Sequence, residues 1–471
     1  MDCVWKSFDY AGNSFELAQV FKDEPYLFFL DSSLNGSHRG RYSLIGFDPF
    51  EVFQGKGKNA LEELKKKYYS YAPMASPSFS PLASGIVGYL AYDYGLYQEK
   101  IKLLAKDDGG LPDCFFGFYD TVITVDHHLK KIYIASNGWP EQNEFLRTRR
   151  ANEKINYILR KVKSRLNEPL GTSERTIRSS AQKNVDPSLK SNFTKESYSE
   201  AVKKVLHYIA RGDIYQVNLS QRFDWDFNQK DMETMDIYEH LRRLSPSYCG
   251  AYMDGGDVKI LSSSPEQFLC VQNGIVRTRP MKGTRPRGQN EWEDQKLKEE
   301  FLLSAKDQAE LLMITDLERN DLGKVCEYGS VCVKEMRAIE SYQTVYQATS
   351  TIEGKLSRGK DCFDVLNACF PSGSITGCPK IRAMEIVEEL EPHRRGLYTG
   401  CLGYINFSGE MDFNILIRTL LARHDKITFH AGSGIVADSI PEQEYQETLV
   451  KAKAMMQSLE AVRQLQPSFY A

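Results

Sequence analysis

SYSEAVKKVLHYIARGDIYQVNLSQRF, residues 197–223, changes its hydrophobic period halfway along. Tyr198, Ala201, Val202, Val205, Leu206 and Ile209 recur at helical spacing. Ser197 with Glu200 reads as a capping box, and Gly212 stops the helix. Residues 214–223 then alternate as a strand does. A short helix is expected near 237–244, followed by strands near 259–262 and 268–271. Helices and strands mixed without a steady strand-helix-strand rhythm point to an α+β fold rather than a doubly wound one.

Upstream of this stretch, residues 164–192 shift to Ser, Lys, Arg, Pro and Asn with few large apolar side chains, which suggests a linker over 166–192. Residues 1–165 read as a β-rich segment with strand-length runs at 26–30, 41–45 and 121–125, and a helix at 152–162. Glycines inside GIVGYLAYDYG (85–95) suggest close backbone packing or bulges. Residues 193–465 form the second segment. Downstream comes a basic stretch, RTRPMKGTRPRG (277–288), which follows a strand end at 275–278. Its two prolines and two glycines argue for a shaped loop carrying five cations, Lys282 in the middle. Taken alone, it could equally be a solvated basic turn.

A chain of 471 residues with 41% hydrophobic and 26% charged residues has ordinary globular composition and room for a large core. A net charge of -3 gives no reason to expect a nucleic-acid partner. No apolar run is long enough to suggest a membrane span, and the N-terminus lacks a secretory pattern, so a cytoplasmic location is expected. The ten cysteines are scattered without metal-binding spacing and read as reduced, small hydrophobes.

Two helical stretches carry paired acids. Asp307 and Glu310 share a face of 305–317. Near the C-terminus Ser439 with Glu442 reads as a second capping box, after which Glu444, Glu447 and Lys451 line one face. Two carboxylates on each of two helices would suit Mg²⁺, although each pair alone reads more readily as solvated helix surface. PSGSITGCPK (371–380) ends where a helix begins, with Pro379 in its first turn. AGSG (431–434) follows a strand at 427–430. Both glycine loops could offer N–H groups to an anion.

These segments resemble the chorismate-utilising enzymes, the family that includes anthranilate synthase component I, isochorismate synthase and salicylate synthase. The similarity rests on GDIYQVNLS (212–220), Ser264-Pro265-Glu266, PMKGT (280–284), DLERNDL (316–322), PSGSITGCPK, GLYTG (396–400) and GSGIVADS (432–439). It is joined in the first segment by DSS (31–33), GRYS (40–43) and the 84–95 stretch. The resemblance implies one large anthranilate synthase component I-like body of two facing antiparallel β-sheets with flanking helices. It implies direct Mg²⁺ ligation by Glu310 and Glu447, with Asp307 and Glu444 supporting through water. It further implies that the metal holds the ring carboxylate of chorismate with help from the backbone of Gly432 and Gly434, that Lys451 is a substrate-site lysine near the metal, that Tyr398 and Arg418 hold the enolpyruvyl carboxylate, and that Ser374 and Gln347 contact substrate. Glu266 would be the acid or base at the C4 hydroxyl. A tryptophan site is implied at Asp31, Ser32, Ser33, Arg41, Tyr42 and Ser43.

Two positions separate reactions within the family. Water-adding members carry a lysine base where this chain has Gln216, and a neutral amide cannot take a proton from water. Anthranilate-forming members have alanine where this chain has Lys282; lysine there resembles members that form 4-amino-4-deoxychorismate, in which the amine attacks C2 and ammonia then displaces it at C4. That product, feeding p-aminobenzoate and folate synthesis, is the expectation. Anthranilate formation and a non-catalytic tryptophan- or chorismate-binding homologue are the alternatives. No amidotransferase Cys-His-Glu arrangement is visible, so ammonia is expected from a separate glutamine amidotransferase subunit. In TVYQATS (344–350) Gln347 stands where family members usually have histidine, which fits a product that keeps its enolpyruvyl group.

Overall fold

A computed structural model of the chain describes residues 3–34, 39–71, 77–167, 189–226, 232–342 and 345–464. Two large antiparallel sheets, of twelve and ten strands, make up the body. Alternate residues along each strand face opposite sides, and the burial pattern follows that period of two. In the first sheet Phe28, Leu44, Val122, Ala251, Met253 and Ile260 face inward. They meet Val87, Tyr89, Phe115 and Leu402 of the second sheet in one apolar layer. Their neighbours Phe29, Ile45, Ile123, Tyr252 and Leu261 point outward and are covered by the helices Ser14–Gln19, Glu144–Asn167, Thr234–Leu244 and Pro441–Gln464. On the far side of the second sheet, Ile86, Phe116, Phe118 and Phe413 pack against the helices Ala60–Tyr69 and Cys362–Cys369.

Both halves of the chain contribute to both sheets. The strand Phe28–Asp31 pairs with Cys249–Asp254, and Gly85–Leu90 pairs with Cys401–Asn406. No helix among the described residues is long and apolar enough to cross a membrane.

Several local expectations shift. The helix Lys195–Ala210 is capped by Thr194 rather than Ser197. Ser197 is the third helical residue, and the two side chains bond each other's backbone N–H reciprocally. The box is therefore Thr194 with Ser197, a hydroxyl doing the work assigned to Glu200. At the C-terminal helix no Ser439–Glu442 box forms: Ser439 Oγ accepts the N–H of Val436, and Glu442 pairs with Lys195. Pro379 is the N-cap of the helix Lys380–Leu390, one residue before its first turn. The 431–434 glycines lie within the strand Lys426–Ile435 rather than after it. Most of the expected linker, residues 168–188, lies outside the described residues, as does Thr344; at the linker's ends, 166 and 167 close a helix and Leu189–Ser191 is already a strand.

The largest revision concerns the basic stretch. Ile275–Thr278 and Met281–Pro286 are two pieces of one strand path, broken at Arg279 and Pro280, and both pair with Val345–Lys355. The second piece stands at the end of the sheet, where Pro286 leaves no ladder bond unmade, and it is bulged between Lys282 and Thr284. Gly283 supplies the bulge with φ +76°. A Cβ there would also meet the Phe301 ring at 2.8 Å and Asp307 Oδ1 at 2.9 Å.

Candidate active site

The strand bulge turns Lys282 towards the paired strands Gln216–Asp226 and Lys426–Ile435. A Cβ placed on Gly434 would lie 3.6 Å from Lys282 Nζ and 2.5 Å from Gln216 Nε2, so an amine and an amide converge on one point of bare backbone. Gln216 is buried, and neither end of its amide has a partner among the described residues. Gly432, two residues back, leaves room for the Tyr398 hydroxyl, which a Cβ would meet at 3.0 Å.

Glu266 turns the chain from the strand Lys259–Ser264 of one sheet to Gln267–Gln272 of the other. Burial pushes its carboxyl up to about 7; a hydrogen bond from Ser374, the Lys282 charge and the Met281 backbone pull it down, and a second buried carboxyl, Glu318, pushes it further up. Its Oε1 has no partner among the described residues. Lys282 is shifted in the complementary sense. Removal from water holds its pKa below the ordinary lysine range, with Lys451 adding to the effect and Glu310, Glu266 and Glu447 opposing it. An acid that keeps its proton near neutrality faces an amine that loses its own more readily, which is the state proton transfer and nucleophilic attack require.

Glu310, on the helix Ala305–Gly323, and Glu447, on Pro441–Gln464, approach the same lysine from two helices. Burial raises Glu310, and the charge of Glu447 adds to the rise. Burial would raise Glu447 as well, but the Lys451 ammonium at 2.7 Å outweighs it and the carboxyl is lowered. Lys451 Nζ also donates to the Gly432 carbonyl at 3.0 Å. Asp307 shares the helix face of Glu310 and is held by Arg285 at 2.8 Å, while Glu444 is buried one turn before Glu447. Among the described residues no group of three or more His, Cys, Asp or Glu side chains is drawn together around one point. Two facing carboxylates balanced only by lysines remain, a donor set that suits Mg²⁺, which commonly takes one or two carboxylates and keeps its waters.

At another wall, Tyr398 is buried and stacked on His430, ring centroids 4.8 Å apart. Burial pushes its hydroxyl up to about 12, partly offset by Arg395. Arg418 is held next to it, because Thr399 N–H donates to the Leu416 carbonyl and Leu416 N–H returns to Gly400. Burial lowers the Arg418 guanidinium, whose Nη1 reaches the Ser245 hydroxyl at 3.4 Å. Gln347 lies opposite Thr284 in the register and is buried, with Oε1 unpartnered among the described residues. Buried polar atoms without partners are uncommon in folded proteins, and three such side chains occur here among the described residues, Gln216 and Gln347 on strands and Glu266 on the link between two strands.

The proposed tryptophan residues lie elsewhere, three of the six, Asp31, Ser32 and Tyr42, at a separate cavity of about 600 Å³ between the sheets that Tyr248, Arg279 and Asp412 also line. Asp31 is taken up by Arg242 at 2.6 Å and Arg41 by Asp126 at 2.8 Å. Ser33 bonds the Ser247 backbone, and Ser43 lies 2.8 Å from His127 Nε2.

Sequence reasoning passed over Glu318, Ser372, Arg395 and His430 as site residues. Glu318 carried a signal: Leu311, Ile314, Thr315, Glu318 and Leu322 share one buried helix face, and an acid on such a face needs a reason. Arg395 and His430 carried none, since each is placed by long-range packing.

A family profile described as chorismate binding enzyme matches residues 27–457. Aminodeoxychorismate synthase component 1 of Bacillus subtilis is 37% identical over 444 residues, covering 91% of each chain. Anthranilate synthase component 1 of Aquifex aeolicus is 39% identical over 463 residues, covering 93% of this chain and 90% of the relative. Among solved structures, anthranilate synthase component I from Streptococcus pneumoniae superposes with a TM-score of 0.75 at 31% identity, covering 90% of this chain and 94% of that one. With the match running through both sheets and all the residues described above, the chain belongs to the chorismate-binding enzymes.

Proposed function

We propose that this chain converts chorismate and ammonia to 4-amino-4-deoxychorismate, for p-aminobenzoate and folate synthesis. The observation that carries the reading is the convergence of Lys282 and Gln216 on Gly434: an amine stands where a nucleophile is needed, and an amide where water addition would need a base. The neutral Lys282 amine attacks C2 of the ring, the two ring double bonds shift and the C4–O bond breaks. Protonated Glu266 gives its proton to the leaving hydroxide, which departs as water. Ammonia then attacks C4, the double bonds shift back, and the C2–N bond breaks with its electron pair returning to Lys282. The new C4 ammonium gives one proton to Glu266, restoring the acid.

Tyr398 and Arg418 grip the enolpyruvyl carboxylate, Arg418 with the planar fork suited to that group. Gly432, Gly434 and Lys451 receive the ring carboxylate, while Ser374 and Gln347 contact the ring substituents. Glu310 and Glu447 would hold Mg²⁺, with Asp307 and Glu444 supporting through water, and the ion would supply positive charge for that ring carboxylate. The relatives are each named as component 1, which supports a separate glutamine amidotransferase subunit as the ammonia source. The inter-sheet cavity is read as a tryptophan site, checked by a rise in melting temperature with added tryptophan.

The test is to incubate the purified chain with chorismate, Mg²⁺ and ammonium and identify the product by mass and chromatography. 4-Amino-4-deoxychorismate with a Lys282 adduct in the intact mass is expected. Anthranilate with released pyruvate would replace this reading with the second one, which the comparably similar anthranilate synthase relatives favour. Chorismate binding with no product would leave a binding homologue.

A further inference from the structure

One buried ion pair ties together three segments of the site. Arg395 is 2% exposed, and each of the five N–H groups of its guanidinium has an acceptor. Nε and Nη2 donate to the two oxygens of Glu391 at 3.0 and 2.8 Å. Nη2 also donates to the Asn218 carbonyl at 2.6 Å, and Nη1 donates to the Ile375 carbonyl at 3.0 Å and the Thr399 hydroxyl at 3.3 Å.

The last three acceptors belong to three different segments. Asn218 stands opposite Gly434 in the ladder, and Glu391 adds a second point on that strand by accepting the N–H of Ser220, opposite Gly432, at 2.8 Å. Ile375 ends the short turn Gly373–Ile375 that carries Ser374, and the residue before this turn, Ser372, donates to Glu318 at 2.8 Å. Thr399 follows Tyr398 and gives its own hydrogen to the Tyr398 carbonyl at 2.5 Å. Its φ of +63° is one that a β-branched residue rarely adopts, so outside bonds must hold this turn. The guanidinium also lies over the rings of Tyr92 and Tyr398, at 4.9 and 5.6 Å from their centroids.

A planar fork with five donors can meet acceptors on three segments while still pairing a carboxylate, and an ammonium with three donors cannot. We propose that Arg395, neutralised by Glu391, is a positioning residue that fixes the Tyr398 turn at a set distance from the strand facing Gly432 and Gly434, so that the two carboxylates of chorismate are gripped together. This rests on the proposed placing of those two carboxylates, and not on which nitrogen product forms.

The test is a double-mutant cycle on the full chain, reading KM and kcat for chorismate at saturating Mg²⁺ and ammonium, with the chorismate dissociation constant measured by calorimetry without ammonium. Arg395→Lys keeps the charge and loses the fork. KM and the dissociation constant are expected to rise about tenfold, the size of one hydrogen bond to a charged group. The grip lies away from the reacting carbons, so kcat should change little. Tyr398→Phe should give a similar rise, and the two together about tenfold again, against about a hundredfold for independent sites. A simple loss of folded protein would lower kcat and leave KM alone. Should Arg395→Lys not fold, Arg395→Met with Glu391→Gln removes both charges at once, keeps an oxygen for the Ser220 N–H and takes its place in the cycle. An unchanged KM, a fall in kcat alone, or fully additive effects on KM would overturn the role of Arg395. An unchanged KM in Tyr398→Phe would instead remove Tyr398 from the carboxylate grip, and the proposal with it.

Discussion

Glu266 with Glu318, and Glu310 with Glu447, are two pairs of one residue type in different surroundings. The first pair is wholly enclosed, and burial raises both members to about 7. The second stands on two helix faces beside lysines: Lys306 is 4.0 Å from Glu310, and Lys451 is 2.7 Å from Glu447. Enclosure makes a carboxyl retain its proton; on the helix faces burial still raises Glu310, while the Lys451 charge outweighs burial and lowers Glu447. On the proposed reading the enclosed pair would serve proton delivery and the helix-face pair cation binding, and carboxylates of both sets act on Lys282. Removing Lys282 tests that separation at its centre. Lys282→Ala should abolish the covalent adduct and the 4-amino product together, read by intact mass and product chromatography. It should also raise Glu266 and Glu310 further, because the lysine lowers both. Wild-type product from the alanine variant would remove Lys282 from the reaction.

Glu266→Gln breaks the enclosed pair. A fall in kcat/KM of about 10²- to 10⁴-fold is expected, the range for loss of a positioned proton donor. In the parent chain the sign of the pH dependence follows from the raised carboxyl. Glu266 is protonated below about 7, so the step that needs its proton weakens as pH rises through about 7. The variant should lose that limb, measured as kcat/KM against pH. A limb that survives in Glu266→Gln belongs to another group.

The two pairs also differ in how readily they can be read from the chain. Glu310 and Glu447 sit at helical spacing from Asp307 and Glu444, so periodicity alone places each pair on one face. Glu266 has no such neighbours, and it takes the resemblance of its Ser-Pro-Glu setting to single it out. Glu318 escapes notice because it occupies an apolar helix face, where only the folded partner Ser372 explains an acid. The fold class was legible from the change of period near Gly212. The strand at Lys282 was not, because a bulge at Gly283 and prolines at 280 and 286 look the same in a loop and in an edge strand. What distinguishes the two is the partner Val345–Lys355, about sixty residues further on. In the same way, Gly432 and Gly434 resemble a turn until Leu219 and Gln216 of the neighbouring strand fill the space that side chains would take.

The helix-face pair is probed more gently. Glu444→Gln leaves the two direct carboxylates in place and alters only their proposed support through water. About tenfold weaker activation by Mg²⁺ is expected, the lower end of what outer partners contribute to metal affinity. The measurement is initial rate against Mg²⁺ concentration at saturating chorismate and ammonium. Unchanged Mg²⁺ dependence here, together with unchanged dependence in Glu447→Gln, would remove the helix faces as the metal site.

Gln347→His should have the smallest effect. Gln347 lies between Thr284 and Glu340 in the ladder, buried, with its Oε1 free of partners among the described residues. A histidine in that enclosure would be held neutral, since burial disfavours its charged form, so it would gain little as an acid over the amide. Formation of 4-amino-4-deoxychorismate leaves the enolpyruvyl group in place and asks for no proton at this position. Turnover within about threefold of the parent is therefore expected, with no pyruvate released. The check is a coupled pyruvate assay run beside product chromatography. A rise of about a hundredfold would mean that the native glutamine limits the enzyme. Pyruvate appearing in the histidine variant alone would show that residue 347, rather than Lys282, decides whether the ring goes on to an aromatic product.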